Sequence, residues 1–219
     1  MHRIAVPAWA VERGRDYNCF DHIDPPRTAL VVIDMQTVFI AEGEVFGNPH
    51  ARDIMAPVNR LVHAMRVAGS PVIWTRQTVS DEPPLAMPTW QYDLNDPHVR
   101  RAVEVMRAGT PSHNLYPAMA CEAGDVVLDK YRYGAFMCPA GALAAALIEM
   151  PVDMLIIVGT LTNVCVESTA RDANMLGYKV IVVPDATATI TDEEHNAALL
   201  NLCLNFADLK TVDELLALL

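Results

Sequence analysis

The feature that most constrains this chain is the alternation of short apolar runs with longer segments of helical period. Runs rich in β-branched side chains predict strands at Ala29–Ile33, Pro71–Thr75, Asp125–Leu128, Met154–Val158 and Lys179–Val183. The segments between them predict helices at Ala51–Ala68, Pro97–Ala108, Pro139–Glu149, Asn163–Leu176, Asp192–Phe206 and Thr211–Leu219. This alternation builds a parallel sheet buried between helices. We therefore expect an α/β fold, a three-layer α/β/α arrangement with a doubly wound, mostly parallel sheet of about six strands.

The domain organisation follows from length and composition. The chain has 219 residues, of which 52% are hydrophobic and 20% charged, which is enough for one sizeable core. No repeat, charge block or change of composition marks an internal boundary. We expect an N-terminal arm at residues 1–26 and a single domain at residues 27–219.

Charge and hydropathy exclude several classes of partner. Acidic residues outnumber basic ones by 27 to 16, so the net charge of −11 attracts neither phosphate backbones nor anionic lipid. The apolar runs are far shorter than the ~20 residues that cross a bilayer, and no convincing secretory cleavage site follows the N-terminus. We expect a cytoplasmic protein that binds no nucleic acid and no membrane. The five cysteines are widely spaced, without a CxxC pair, which predicts free thiols.

Three reactive side chains lie just beyond three of the predicted strands. Asp34 follows the first strand, Lys130 the third, and Cys165 opens the helix after the fourth. Ligands of open parallel sheets bind outside the carboxyl ends of the strands, so these groups are expected at one edge. A carboxylate can take the thiol proton, while a lysine and a helix N-terminus favour the thiolate. The trio predicts attack by sulfur on an acyl carbon.

Each member of the trio also has an ordinary structural interpretation. A single cysteine is more often an inert core residue than a nucleophile. Asp34 alone could cap a helix or a turn, and Lys130 alone could be a solvated lysine at a strand end. Their joint placement after three separate strands favours the catalytic interpretation. A catalytically silent binding or scaffold protein remains the alternative.

A longer stretch carries a family resemblance. Residues 158–173 read VGTLTNVCVESTARDA, and Val32-Ile33-Asp34-Met35-Gln36, Asp129-Lys130 and Gly134-Ala135-Phe136 precede it in order. In these motifs the chain resembles the isochorismatase-like cysteine hydrolases, which include nicotinamidases, N-carbamoylsarcosine amidases, ureidoacrylate amidohydrolases and biuret hydrolases. The resemblance covers roughly residues 27–219 and implies a homodimer or homotetramer.

The resemblance implies roles for individual residues. Asp34 would be the general base and then acid, Lys130 would orient groups and stabilise charge, and Cys165 would form a covalent acyl-enzyme. The family also has a cis peptide bond, which falls here between Thr160 and Leu161. The N–H groups of Leu161 and Cys165 would then form the oxyanion hole.

Departures from the family pattern reduce the number of candidate activities. Nicotinamidases carry an Asp-x-His metal motif after the second strand, where this chain reads Trp74-Thr75-Arg76-Gln77-Thr78. We therefore expect no metal and no cofactor. The branch that hydrolyses the vinyl ether of isochorismate has a different residue in place of the cysteine, so that activity is the alternative that Cys165 disfavours.

The substrate expected from the remaining branches is a small linear amide or ureide, with ureidoacrylate as the leading candidate. Arg76 could bind a substrate carboxylate, or form only a surface salt bridge, and Gln36 could bind a carbonyl or amide. The proline-rich segment 77–96 could be a lid or an oligomer contact. Aromatic residues near the predicted rim could wall the substrate pocket, although core packing would explain Phe39 and Phe136 equally well: Phe39, Trp74, Trp90, Tyr131, Tyr133 and Phe136.

Overall fold

A computed structural model describes all residues, 1–219, and has a six-stranded, entirely parallel sheet at its centre. The strands are β1 (Thr28–Ile33), β2 (Val72–Gln77), β3 (Val126–Lys130), β4 (Met154–Thr160), β5 (Lys179–Ala188) and β6 (Asp208–Leu209). Their spatial order is β3-β2-β1-β4-β5-β6. The chain order therefore reverses between β1 and β4, which makes their carboxyl ends the switch point of a doubly wound sheet. The predicted fold class is confirmed.

The helices lie on both sides of this sheet. They are α1 (Ala8–Gly14), α2 (Thr37–Ile40), α3 (Pro49–Asp53), α4 (Met55–Val67), α5 (Pro97–Val105), α6 (Ala142–Ile148), α7 (Glu167–Met175), α8 (Asp192–Asn205) and α9 (Val212–Leu216). Short 3-10 turns occupy Pro25–Arg27 and Thr89–Gln91, and a π-helix occupies Thr162–Val166. None of these helices has both the length and the hydrophobicity needed to span a bilayer.

Alternating strand residues build two separate cores. On one face Leu30, Val32 and Trp74 join a cluster of buried residues that includes side chains of α4 and α9. On the other face Val31 and Ile73 join a cluster covered by α6, α7 and α8. Successive side chains of a strand point to opposite faces, so the same strands serve both layers.

One predicted helix differs from the structure in its continuity. The segment Ala51–Ala68 is broken at Ile54 into α3 and α4. The break places Pro57 in the first turn of α4, where its missing N–H has no intrahelical acceptor to lose. A continuous helix would have put this proline in its interior. The predicted helix Asn163–Leu176 begins as the π-helix Thr162–Val166 and continues as α7, and the remaining predicted helices are shorter than their predicted ranges.

The strands extend further than predicted at their carboxyl ends. Gln77, Lys130, Thr160 and Ala188 each end a strand that the apolar pattern predicts to stop earlier. Three of these four end residues, Gln77, Lys130 and Thr160, are polar, so the apolar pattern stops before the ladder does. The sixth strand, which has only two residues, carries no recognisable pattern of its own.

Residues 1–26 are ordered against the rest of the chain. Helix α1 packs along α8, Ala10 is fully buried, and His2 is buried beside His195. All five cysteines are free thiols, as predicted.

Candidate active site

Asp34, Lys130 and Cys165 meet at the carboxyl end of the sheet. Asp34 follows β1, Lys130 is the last residue of β3, and Cys165 lies in the π-helix after β4. Lys130 Nζ is 2.7 Å from Asp34 Oδ2 and 3.4 Å from Cys165 Sγ. The three residues are almost completely buried, with exposures of 0%, 2% and 6%. The sheet therefore delivers a carboxylate, an ammonium and a sulfur to one enclosed place.

The backbone of Asp34 adopts an unusual conformation. Its φ is +50°, the only positive φ among the non-glycine residues of the chain. Such a conformation costs on the order of 1 kcal/mol or more, and it concentrates at functional sites. Thr75 on β2 holds the residue, because its Oγ1 donates a 2.8 Å hydrogen bond to Asp34 Oδ1 and its carbonyl accepts from the Asp34 N–H at 3.2 Å.

Lys130 is held by acceptors on several elements. Besides Asp34 and Cys165, its Nζ lies 2.6 Å from Gln77 Oε1 and 3.2 Å from the Arg132 carbonyl oxygen. Burial lowers the lysine pKa, but the charges of Asp34 and Cys165 and their hydrogen bonds more than compensate, so the pKa is raised overall. The ammonium is thus a fixed positive charge between the carboxylate and the sulfur.

Cys165 rests as a thiol. Burial, the largest effect, together with the charge of Asp34, raises its pKa to about 12, although Lys130 lowers it. Lys130 favours the thiolate, as predicted from the sequence, but burial outweighs its effect in so enclosed a site. A base must therefore remove the thiol proton during reaction.

The turn between β4 and the π-helix is built around Gly159 and Leu161. Gly159 has φ +107° and lies against β1 so closely that a Cβ would come within 2.1 Å of the Ile33 carbonyl oxygen. The peptide bond between Thr160 and Leu161 is cis. The Leu161 N–H donates no hydrogen bond to another group of the protein, and Leu161 itself lines the cavity beside Cys165.

A cavity of about 200 Å³ opens above the sulfur. Its size suits a small molecule and not a polymer. Tyr92 brings the segment 77–96 to this cavity, while the neighbouring Trp90 is 81% exposed. The cavity is lined by Phe39, Phe46, Gln77, Tyr92, Met106, Tyr133, Thr160, Leu161, Val164 and Cys165.

Of the six aromatic residues predicted to wall a pocket, the structure brings Phe39 and Tyr133 to the cavity. Trp74 is buried in the opposite core, where its Nε1 donates a 2.9 Å hydrogen bond to Asp125. Phe136 stacks on Tyr178 in the core beneath α7. Trp90 and Tyr131 do not line the cavity either. The prediction that these four residues line the substrate pocket is therefore wrong.

The two predicted polar anchors also lie elsewhere. Arg76 Nε donates to Asp129 Oδ1 at 2.7 Å, and the residue does not line the cavity. Gln36 is fully buried; its side chain accepts from the Gln77 N–H and donates to the His113 carbonyl oxygen, both at 2.7 Å. Gln36 thus supports β2 and does not reach the substrate space.

Thr75 and Gln77 are site residues that the sequence prediction missed. Both lie on β2 with Ile73, two residues apart, and share its face, whereas Trp74 and Arg76 point the other way. The register pairs Gln77 with Lys130, and Arg76 with Asp129. The alternation of side chains along the strand was the signal that could have found them.

One group of side chains in the structure has the spacing of metal ligands, and none of its members lines the cavity. His2, His50 and Asp192 put ligand atoms within 4.8 Å of one another. His2 Nδ1 is 2.8 Å from Asp192 Oδ1, and the His2 ring stacks on both His50 and His195. These contacts hold residue 2 against α8.

Comparisons with known proteins identify the family of the chain. The model of the isochorismatase domain matches residues 28–214. A ureidoacrylate amidohydrolase of Methylobacterium radiotolerans is 32% identical over 194 residues, covering 82% of this chain and 74% of that protein.

Solved structures share the fold. A cysteine hydrolase from Pseudomonas syringae pv. phaseolicola superposes with a TM-score of 0.81 at 28% identity, covering 92% of this chain and 95% of its own. An N-carbamoylsarcosine amidase from Thermoplasma acidophilum gives 0.67 at 26% identity, covering 85% and 97%. Sequence and fold agree, and this chain belongs to the isochorismatase domain family.

Proposed function

We propose that this protein hydrolyses the C–N bond of a small linear amide or ureide through a covalent intermediate on Cys165. The observation that carries the proposal is the position of Lys130 Nζ, within 2.7 Å of Asp34 Oδ2 and 3.4 Å of Cys165 Sγ beneath a small cavity. A base, a fixed positive charge and a nucleophile are the groups that acyl transfer to sulfur requires.

The first step is acylation of the sulfur. Asp34 takes the proton of the Cys165 thiol, and the sulfur attacks the carbonyl carbon of the substrate. Lys130 stays protonated throughout, since its neighbours raise its pKa, and it stabilises the thiolate as it forms. The tetrahedral intermediate then collapses: its C–N bond breaks, Asp34 returns the proton to the nitrogen, and ammonia or an amine leaves.

The negative oxygen of the intermediate needs donors fixed in advance. We assign this role to the backbone N–H groups of Leu161 and Cys165. In support, the Leu161 N–H makes no hydrogen bond within the protein, and Leu161 and Cys165 line the same cavity. One such donor typically contributes 10²–10³-fold to the rate.

The second step returns the free enzyme. Asp34 takes a proton from a water molecule, whose oxygen attacks the thioester, or the thiocarbamate if the substrate is a ureide. The C–S bond breaks, and the sulfur regains its proton from Asp34. The thiol pKa of about 12 favours the protonated sulfur at the end of the cycle.

The relatives support the substrate class. Their names give ureidoacrylate and N-carbamoylsarcosine as substrates of those proteins, and both are small molecules with an amide-type C–N bond. Ureidoacrylate is therefore the first ureide to test. The small cavity supports a substrate of this size.

The proposal is tested by assaying ammonia release from a panel of linear amides and ureides. Wild type should release ammonia from at least one of them, and Cys165→Ser should lose at least about 10³-fold of that rate. Cys19→Ala, at an exposed thiol, is the matched control and should keep the wild-type rate. Retained activity in Cys165→Ser would contradict the mechanism, and a wild type inactive on the whole panel would favour a binding or scaffold role.

We also propose that the chain forms a homodimer or homotetramer. Trp9 and Trp90 are 56% and 81% exposed, which is typical of side chains covered by a partner. Light scattering after size-exclusion chromatography tests this; a monomer near 24.1 kDa at micromolar concentration would contradict it.

A further inference from the structure

The substrate space is lined mostly by apolar side chains. Gln77, Thr160 and Cys165 are its buried polar members, and the hydroxyls of Tyr92 and Tyr133 are its only other polar side-chain groups. The rest of the lining consists of aromatic and aliphatic side chains: Phe39, Phe46, Tyr92, Met106, Tyr133, Leu161 and Val164. An amide group placed at the sulfur would therefore direct the remainder of its molecule against hydrocarbon.

A second cavity continues this apolar surface. It shares Phe39, Phe46 and Leu161 with the first cavity and adds Val45 and Ile190. Its one polar side chain, that of Asn48, is hydrogen-bonded to the backbone of Thr189 and His50. Phe39 and Phe46 stack with ring centroids 5.9 Å apart, so they form one wall common to both cavities. A substrate longer than the first cavity would meet more apolar surface on this side.

Three cations in or next to the carboxyl ends of β2 and β3, namely Arg76, Lys130 and Arg132, are each engaged by other protein groups. Arg76 pairs with Asp129, and Lys130 is shared among Asp34, Gln77 and Cys165. The Arg132 guanidinium donates to three carbonyl oxygens of the segment 77–96, those of Pro84, Leu85 and Ala86, at 3.3, 2.9 and 3.0 Å.

A carboxylate at the acyl end of the substrate would therefore lose water without gaining a charged partner. The carboxylate of ureidoacrylate, by contrast, is on the leaving amine and not at that end. Moving an unpaired carboxylate out of water costs several kcal/mol, whereas an apolar group of the same volume gains from burial. The chemical nature of the distal end of the substrate, apolar or carboxylate, therefore determines how well the substrate binds.

We infer that the cavity selects uncharged amides whose acyl group ends in an apolar substituent, and discriminates against amides that carry a carboxylate at that end. This inference rests on the amidase function proposed above. It concerns only the part of the substrate that faces Phe39, Phe46 and Met106, and leaves the chemistry at Cys165 unchanged.

The test compares two amides of the same length, 4-methylpentanamide and succinamate, which differ in an isopropyl group against a carboxylate. We expect kcat/KM to be at least about tenfold higher for 4-methylpentanamide, the minimum that an unpaired buried charge should cost. Equal values, or a preference for succinamate, would overturn the inference; if that activity still disappeared in Cys165→Ser, the proposed amidase function would stand. Activity that survives Cys165→Ser would overturn the function instead.

Binding gives a second readout that does not require turnover. The rate of alkylation of Cys165 by iodoacetamide is measured with each amide present at the same concentration. We expect 4-methylpentanamide to slow alkylation and succinamate to have little effect. Equal protection by the two, or protection by neither, would overturn the inference.

A substitution at Phe46 tests whether the apolar wall causes the preference for the uncharged amide. Phe46 is 40% exposed at the mouth of the cavity, so Phe46→Arg can be accommodated and places a cation there. It should raise kcat/KM for succinamate relative to 4-methylpentanamide by about fivefold or more, as a new ion pair of 1 kcal/mol would. Phe46→Leu is the control and should keep the wild-type preference. An unchanged ratio in Phe46→Arg would overturn the role given to the apolar wall.

Discussion

Gln77 and Lys130 face each other across neighbouring parallel strands, and the Gln77 Oε1 accepts a 2.6 Å hydrogen bond from the Lys130 Nζ. This contact fixes the ammonium between the carboxylate and the sulfur. Gln77→Leu removes the acceptor and leaves a buried charge less well solvated, a loss of about 1–3 kcal/mol. We expect kcat/KM to fall about tenfold or more with the fold retained, as measured by ammonia release and the thermal unfolding midpoint.

Arg76 supplies the matched control, because it lies next to Gln77 on β2 but on the other face. Arg76→Gln removes a partly exposed ion pair with Asp129, which is worth little. Its activity should stay within about twofold of wild type. A larger loss in Arg76→Gln than in Gln77→Leu would contradict the assignment of the two faces.

Asp34→Asn should make the Cys165 thiol easier to ionise and yet slow the reaction. The charge of Asp34 and its hydrogen bond raise the pKa of the thiol, while Lys130 lowers it. Without the carboxylate, the pKa should fall below about 12, so thiolate absorbance at 240 nm appears at lower pH than in wild type. Turnover should nevertheless fall by about 10²–10⁴-fold, because the base is missing.

The reference for this titration is the double variant Asp34→Asn/Cys165→Ala, which lacks the thiolate absorbance of Cys165. If the thiol of Asp34→Asn titrated at the same pH as wild type or higher, the electrostatic account of the site would be wrong.

His195 should make folding stability depend on pH. The residue is fully buried and its Nδ1 lies 2.9 Å from Thr162 Oγ1. Burial, followed by the charge of His2, lowers its pKa to about 4. The unfolded chain therefore binds a proton that the folded chain does not, so the stabilisation is complete above pH 6.5 and is lost as the pH falls towards 4.

Urea unfolding at pH 7.5 and pH 5 measures this loss. We expect wild type to lose about 1–2 kcal/mol more than His195→Asn over this interval, because the variant lacks the titrating ring but keeps a polar group for Thr162. An equal loss in both proteins would exclude His195 as the source.

Gly159 tests how tightly β4 approaches β1. In Gly159→Ala the new Cβ would lie 2.1 Å from the Ile33 carbonyl oxygen, in a backbone conformation that already disfavours a side chain. We expect a loss of at least about 3 kcal/mol of unfolding free energy, together with loss of activity.

Gly177→Ala is the control for backbone strain alone. Its φ is also positive, +94°, but its Cβ meets nothing within 4 Å. It should cost only about 1 kcal/mol. Equal destabilisation of the two variants in urea unfolding would show that strain, and not the close approach of the strands, explains both.

The meeting of Asp34, Lys130 and Cys165 could be predicted because parallel strands place their carboxyl ends at one edge. The walls of the cavity could not be predicted in the same way. Chemical type and nearness to the rim favour Trp74 and Arg76, but the alternation of side chains along β2 places Thr75 and Gln77 at the site instead. Alternation with Ile73 identifies both missed residues.

Tertiary context accounts for the remaining differences. The thiol pKa depends on how completely Cys165 is enclosed, which no local pattern indicates. Phe46, Tyr92 and Met106 come to the cavity from loops and from the end of α5, where the sequence has no regular period. The break at Ile54, by contrast, was readable from Pro57 alone.

The central claim is that the amide substrate becomes covalently bound to Cys165. It is tested most directly by quenching the reaction in acid during the first turnover and measuring the mass of the peptide that contains residue 165, with hydroxylamine added in a parallel reaction. The account predicts a mass increase equal to the acyl group of the substrate, and a hydroxamate formed from the same intermediate. Ammonia release with an unmodified peptide and no hydroxamate would contradict it.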